Sequence, residues 1–172
     1  DMTPYNSSVT KRVYESVFDL PNSCIVVITH SDVKDNRKIK AFSNGYLRIR
    51  YLGPQSGAKG YQLLKAALDK LWDVQQNFFL DVHFEPMKSA PYIKSHERYS
   101  YAELEKIFDE TDVLVAPSIW YETFGFTVLE ALSYGVPVII SGNVGAKDIL
   151  VQGAGVVIEY IDAQKLFTTL QN

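Results

Sequence analysis

Short apolar runs alternate with amphipathic segments along this chain, a pattern typical of an α/β protein. The segment that begins at residue 61 shows helical spacing most clearly, because its apolar residues recur every three or four positions: Leu63, Leu64, Ala67, Leu68, Leu71 and Trp72. The apolar runs predict strands at residues 24–29, 47–52, 78–84, 91–94, 112–116, 136–140 and 155–158. The amphipathic segments predict helices at residues 9–18, 101–110, 126–132, 146–150 and 162–170, besides the one from residue 61.

Most positions of the predicted strands are apolar, as expected for strands buried on both faces. Strand-then-helix units of this kind predict a doubly wound parallel sheet with right-handed crossovers, which is a Rossmann-like fold. Ligands of such sheets bind beyond the carboxyl ends of the strands. We therefore expect the chemistry in the turns that follow residues 52, 116 and 140.

Composition narrows the class of protein. The chain has 172 residues and a formal net charge of −3, so we expect a single domain that does not bind nucleic acid. The single cysteine, Cys24, cannot form an internal disulfide, which favours a reducing compartment. The sequence shows no targeting leader and no transmembrane segment, and we expect a cytoplasmic location. Any contact with the inner surface of a membrane would belong to another part of a longer protein.

The first candidate turn is Gly53-Pro-Gln-Ser-Gly-Ala-Lys59-Gly60. Its glycines allow backbone N–H groups to approach a phosphate, and Lys59 could neutralise the phosphate charge. The glycine spacing matches neither a P-loop nor a dinucleotide fingerprint. A plain tight turn with a solvated lysine is the alternative.

The second turn places Glu122 before a predicted helix and Glu130 about five residues into it. The free N–H groups at the helix start form a potential anion site, which comprises Phe124, Gly125, Phe126 and Thr127. Glu130 would accept the two hydroxyls of a ribose, and Glu122 those of a second sugar. This arrangement fits a nucleoside diphosphate sugar. The alternative is that Glu122 only complements the helix dipole and Glu130 is solvated.

The block Glu122-Thr-Phe-Gly-Phe-Thr-Val-Leu-Glu130 resembles the signature of retaining, nucleotide-sugar-dependent glycosyltransferases of the two-domain GT-B architecture. It is preceded by Asp112-Val-Leu-Val-Ala-Pro-Ser118 and followed by Ala131-Leu-Ser-Tyr-Gly135-Val-Pro-Val-Ile-Ile140. The resemblance implies that residues 47–172 form the donor-binding domain and that residues 1–46 are an interdomain lead-in. It also implies a separate N-terminal domain for the acceptor.

The same resemblance implies roles for individual residues. Lys59, with Gly53 in its turn, would hold the donor diphosphate, and the amides of residues 124–127 would contact the phosphates. Glu122 would be the catalytic residue facing the transferred sugar, and Glu130 would bind the ribose. The base would lie near the turn after residues 92–94. The implied transfer retains configuration and needs no metal or other cofactor, and the product would be a glycan such as a polysaccharide.

The chain departs from the family pattern at two positions. Pro54 stands where an arginine usually follows the glycine, and Glu97 stands where a glycine is common. A non-catalytic sugar-nucleotide-binding module is therefore one alternative. An NAD-dependent oxidoreductase with Glu85 as its ribose acid is another, although it leaves residues 122–130 unexplained. The histidines His30, His83 and His96 lack the paired spacing of a metal site.

Overall fold

The computed structural model describes residues 2–26, 33–38 and 45–172. Its eight strands are β1 (Thr3–Tyr5), β2 (Ser23–Ile25), β3 (Leu47–Tyr51), β4 (Phe78–Val82), β5 (Ile93–Ser95), β6 (Val113–Ala116), β7 (Val138–Ser141) and β8 (Gly155–Ile158). Its α-helices are α1 (Ser8–Glu15), α2 (Tyr61–Val74), α3 (Leu104–Asp109), α4 (Phe126–Ser133) and α5 (Ala163–Gln171). Two short 3-10 helices cover Tyr101–Glu103 and Gly145–Ile149.

Six strands form one parallel sheet in the order β5-β4-β3-β6-β7-β8. The chain thus builds outward from β3 in one direction and then returns to build outward from β6 in the other. This is the doubly wound, Rossmann-like order, and the predicted fold class is confirmed. The order reverses between β3 and β6, and a crevice opens beyond the carboxyl ends of these two strands.

The sheet is covered on both faces, which explains why most positions of its strands are apolar. On one face α2 and α5 pack over a core that includes Ile49, Leu68 and Leu166. On the other face α3 and α4 pack over a second core around Phe108 and Val128. These two layers hold the carboxyl ends of β3 and β6 in fixed positions relative to α4.

A separate two-stranded parallel sheet, β1-β2, lies at the start of the chain together with α1. Helix α1 begins at a cap residue, Ser7, whose side chain accepts a hydrogen bond from the Thr10 N–H group. The Asp148 carboxylate binds the same helix end through the Ser8 N–H and hydroxyl groups, each at 2.5 Å. The start of α1 is therefore attached to the turn that follows β7.

Most elements agree with the sequence patterns to within one or two residues, but strand β1 was not predicted. Helix α1 stops at Glu15 rather than at residue 18, and the predicted helix at 146–150 is a 3-10 helix. The strand predicted at 24–29 is described only to residue 26, and residues 27–29 lie outside the described part of the chain. Apolar residues beyond an element's end, such as the exposed Val17 and Phe18, extended these predictions too far.

Candidate active site at the strand-order reversal

A cavity of about 230 Å³ lies where the strand order reverses. The turn after β3, the loop after β6 and the first turn of α4 form its walls. Its lining includes six residues of the predicted site, which are Gly53, Lys59, Glu122, Gly125, Phe126 and Thr127. The structure thus brings together turns that are about 60 residues apart in sequence.

The turn at residues 53–60 is held firmly against the sheet. The Tyr51 hydroxyl lies 2.8 Å from the Pro54 carbonyl oxygen and donates to it. Burial and the nearby Glu122 carboxylate raise the pKa of Tyr51, so this donor stays protonated. Gly60 has a φ of +78°, and a Cβ there would overlap the Pro117 carbonyl oxygen. Only glycine therefore lets this turn approach the loop after β6.

A second contact ties this turn to the loop that carries Glu122. The Ala58 carbonyl oxygen accepts hydrogen bonds from the N–H groups of Ile119 and Trp120, both at 2.9 Å. The two loops consequently form a single support, and Lys59 and Glu122 project from its two sides.

Lys59 and Glu122 form an ion pair inside the cavity, with 3.1 Å between Lys59 Nζ and Glu122 Oε2. The Lys59 side chain is 38% exposed and that of Glu122 is 19% exposed, so both remain accessible to a ligand. A ligand that enters the cavity can separate this ion pair, so that the ammonium and the carboxylate each bind a group of the ligand instead. Lys59 can then bind phosphate oxygens, and Glu122 can accept hydrogen bonds from hydroxyls.

The backbone around Glu122 is fixed by the turn that follows β7, which was the third candidate turn. The Glu122 N–H donates to the Asn143 carbonyl oxygen at 2.9 Å, and the Gly145 N–H donates to the Glu122 carbonyl oxygen at 3.1 Å. The Ala146 N–H reaches the Phe124 carbonyl oxygen at 2.6 Å. These bonds set the direction in which the Glu122 side chain leaves the loop.

Helix α4 begins at the cavity, with Gly125 as its cap residue. The first N–H groups of a helix have no partner within the helix and carry part of its positive dipole. Phe126 and Thr127, at the start of α4, line the cavity, whereas the Phe124 side chain is buried in the core beneath it. Phe124 can therefore serve a ligand only through its backbone.

Glu130 does not share the cavity of Glu122. It lines a second cavity of about 260 Å³, together with Tyr101, Ser133, Tyr134 and residues of the segment 33–38. Tyr101 lies in the segment after β5, and burial and the charge of Glu130 raise the pKa of the nearby Tyr99. The two carboxylates thus line two different cavities that share no lining residue.

A buried polar network beside the cavity was not predicted from the sequence. Arg50 on β3 is 2% exposed, and its Nη1 lies 3.3 Å from His83 Nε2. The other ring nitrogen, His83 Nδ1, lies 2.7 Å from the Glu97 carbonyl oxygen. A neutral His83 that donates from Nδ1 and accepts at Nε2 satisfies both contacts. Burial lowers the pKa of His83, and the Arg50 charge acts in the same direction.

The sequence offers one signal for this network, which is Arg50 within an otherwise buried strand. The partners of Arg50 come from distant parts of the chain, since its Nε also donates to Thr111 Oγ1 at 3.1 Å. Asp81 lies 3.9 Å from the guanidinium and contacts His96 at 2.5 Å. The network ties the loop after β5 to the sheet.

The fold matches about half of the chain in solved structures of GT-B glycosyltransferases. The lipopolysaccharide outer core galactosyltransferase WaaB matches 99% of this chain and 52% of its own chain, with a TM-score of 0.76 and 18% identity. The Anabaena protein HepE, whose crystal structure contains UDP-glucose, matches 99% of this chain and 53% of its own, with a TM-score of 0.73 and 14% identity.

At the level of sequence, residues 92–171 match the family described as Glycosyl transferases group 1. An uncharacterized 41.2 kDa protein from the cps region of Klebsiella pneumoniae is 40% identical over 127 residues, which cover 70% of this chain. The match covers 35% of the Klebsiella protein. The chain thus spans about a third to a half of the length of these relatives.

The resemblance to GT-B glycosyltransferases is therefore confirmed for the fold, and residues 92–171 match the Glycosyl transferases group 1 family. The retaining character and the Glu122–Glu130 signature stay predictions. The roles assigned to Glu122, Glu130 and Lys59 remain predictions. No described helix is long and apolar enough to cross a membrane.

Proposed function

We propose that this chain is the donor-binding half of a retaining glycosyltransferase. The longer enzyme would transfer a sugar from a nucleoside diphosphate sugar to a glycan or another acceptor. The observation that carries this proposal is the Lys59–Glu122 ion pair in a cavity at the strand-order reversal, beside the first turn of α4. The family match and the GT-B fold support it.

The diphosphate would bind between Lys59 and the start of α4. Its oxygens would accept hydrogen bonds from the Lys59 ammonium and from the backbone N–H groups of residues 124–127. These fixed donors also stabilise the negative charge that develops on the diphosphate as it leaves. Because they already supply positive charge, we propose a transfer that needs no metal ion.

Glu122 would bind the transferred sugar once Lys59 turns to the phosphate. During transfer the bond between the anomeric carbon and the diphosphate oxygen breaks, and its electrons pass to the diphosphate. The acceptor oxygen bonds to the same face of the sugar, and its proton passes to the departing phosphate oxygen. The sugar would resemble an oxocarbenium ion in between, and a nearby carboxylate such as Glu122 stabilises that positive charge.

Glu130 would bind the nucleoside end of the donor. Its position near Tyr99 is compatible with a ribose beside the loop after β5, with the base further along that loop. For one donor to contact both Glu122 and Glu130, the two cavities would have to open into a single groove when it binds.

The small volume of the cavity supports the proposal that a second domain forms another wall of the donor site. Pockets for small ligands usually measure about 300–1,000 Å³, and the cavity at the reversal holds about 230 Å³. GT-B structures that match this chain are about twice as long. We therefore propose that an N-terminal acceptor domain closes over the donor in the longer protein.

Pro54 favours the alternative of a binding module without transferase activity. It lines the cavity at the position where the family usually has an arginine, and it offers neither a charge nor an N–H group. Release of the nucleotide by the longer protein in the presence of any sugar donor would exclude this alternative.

Titration calorimetry with UDP, GDP and ADP tests the proposal directly. We expect weak binding of at least one nucleotide to this chain. Lys59→Met should weaken that binding roughly tenfold or more, because a charged hydrogen bond contributes about 1.5–3 kcal/mol. Lys70→Met is the matched control, since Lys70 lies on α2 and contacts Gln164 instead. No heat with any nucleotide at millimolar concentration would count against the proposal.

A further inference from the structure

The start of α1 makes a close contact with the loop that carries Glu122. Ser7 is fully buried, and its hydroxyl lies 2.5 Å from the carbonyl oxygen of Thr123. The two residues are 116 positions apart in sequence. Because the Ser7 oxygen already accepts from the Thr10 N–H group, its proton is available for Thr123.

This junction is closely packed on a third side by Gly145. A Cβ at position 145 would lie 2.6 Å from Ser7 Oγ and would overlap the Thr123 carbonyl oxygen. The Gly145 N–H also holds the carbonyl oxygen of Glu122, as described above. The peptide units on both sides of residue 123 are thus held by α1 and by the turn after β7.

The contact has a geometric consequence for the donor site. In a trans peptide the C=O and N–H groups point in opposite directions. Ser7 draws the Thr123 carbonyl toward α1 and so turns the Phe124 N–H away from it. The same bond fixes the backbone on the carboxyl side of Glu122, from which the Glu122 side chain projects into the cavity.

We propose that Ser7 is a positioning residue for the sugar-binding part of the site, a role that rests on the proposed function. Ser7 acts through Thr123 and does not contact the donor. Helix α1 is itself anchored by Asp148, so Ser7 transmits the position of the N-terminal unit, residues 2–26, to Glu122. The Phe124 N–H is one of several donors proposed for the diphosphate, whereas Glu122 is the residue proposed for the sugar. The loss of this contact should therefore affect recognition of the sugar more than that of the nucleotide.

The test compares binding of UDP-glucose and UDP by titration calorimetry in the wild-type chain and in Ser7→Ala. Ser7→Ala loses one hydrogen bond that holds the backbone next to Glu122, and such a bond makes a modest contribution to free energy. We therefore expect Ser7→Ala to weaken UDP-glucose binding roughly threefold to tenfold and UDP binding less than twofold. The Thr10 hydroxyl lies 3.4 Å from the same carbonyl oxygen and could replace the lost donor. The double variant Ser7→Ala/Thr10→Val removes both donors and should show the larger effect.

Ser8→Ala is the matched control, because Ser8 anchors the same helix through Asp148 and does not contact Thr123. It should change neither affinity by more than twofold. Equal losses for UDP and UDP-glucose in Ser7→Ala, or equal effects of the two single variants, would overturn the positioning role.

A second measurement does not depend on ligand. The Gly145 and Ala146 amides donate to the carbonyl oxygens of Glu122 and Phe124, so their hydrogen exchange reports on this loop. Exchange at both amides should accelerate in Ser7→Ala and stay unchanged in Ser8→Ala; unchanged exchange in Ser7→Ala would overturn the role. If exchange accelerates in Ser7→Ala but the wild-type chain binds neither UDP nor UDP-glucose, the structural contact holds and the proposed function has failed.

Discussion

The role of a single side chain in this protein depends more on the residues that it contacts than on its residue type. Lys59 is a surface-type residue by sequence, but its ammonium lies against Glu122 within a cavity. Arg50 is a charged residue within a buried strand, and its guanidinium forms hydrogen bonds with His83 and Thr111. Sequence spacing identified Lys59 and Glu122 as candidates, because each follows a predicted strand. It could not identify the contact between Arg50 and His83, because that contact depends on how β3 and β4 pair.

The two glutamates should affect different parts of the donor. We expect Glu130→Ala to weaken UDP binding more than Glu122→Ala does, because ribose belongs to the nucleotide and the transferred sugar does not. Titration of both variants with UDP measures this difference. Equal losses would contradict the assignment of separate roles to the two carboxylates.

His83 should make folding stability sensitive to pH. Its pKa in the folded chain lies below the usual 6.5, so the unfolded chain binds a proton more readily. Stability should therefore decrease as the pH falls below about 6.5 and should recover as the pH rises. Urea unfolding at pH 7.5 and pH 5.5 measures this loss.

The variant His83→Asn provides the comparison for that pH series. It keeps a donor for the Glu97 carbonyl oxygen and lacks the ring that titrates. We expect a smaller loss of stability between pH 7.5 and pH 5.5 than in the wild-type chain. An identical loss in both proteins would assign the pH dependence to other groups.

At the level of elements, the turns after β3, β6 and β7 act as one support for the site. The Ala58 carbonyl joins the first two turns, and the bonds between residues 122 and 143–145 join the second and third. Helix α4 then begins at the cavity, where Phe126 and Thr127 of its first turn line the wall. The sequence indicated all three turns, but only the fold shows that they contact each other.

Gly60 is the residue through which the first of these turns approaches the loop after β6. Gly60→Ala should destabilise the chain by more than about 1 kcal/mol, because its φ is positive and a Cβ would meet Pro117. Gly57→Ala in the same turn is the control, since the nearest atom lies 3.8 Å from the added Cβ. Chemical denaturation compares the two, and equal stability of both variants would show that the turn adapts.

At the scale of the whole molecule, the order of strands in the sheet positions the cavity. The reversal between β3 and β6 creates it, and the start of α4 forms part of its wall. The relatives are longer than this chain, and we propose that their further chain covers the cavity. Nucleotide binding by this chain and sugar transfer by the longer protein should therefore be separable in experiments.

We expect this chain alone to bind a nucleoside diphosphate and to transfer no sugar. An acceptor-independent assay of UDP release from UDP-glucose should give the buffer rate with this chain. The longer protein, supplied with its acceptor, should release UDP from its correct donor and form a product of retained configuration, which NMR of the anomeric proton detects. Inversion of configuration would contradict the proposed mechanism.

The sequence by itself determined the order of strands and helices, the buried character of the sheet and the turns that carry Lys59 and Glu122. It could do so because hydrophobic period, glycine positions and helix starts are local properties of the chain. Only the tertiary structure decided that Lys59 contacts Glu122, that Glu130 lines a second cavity and that Ser7 holds the Thr123 carbonyl. Those contacts join residues that are up to 116 positions apart, and they arise from strand order and helix packing, which local patterns do not encode.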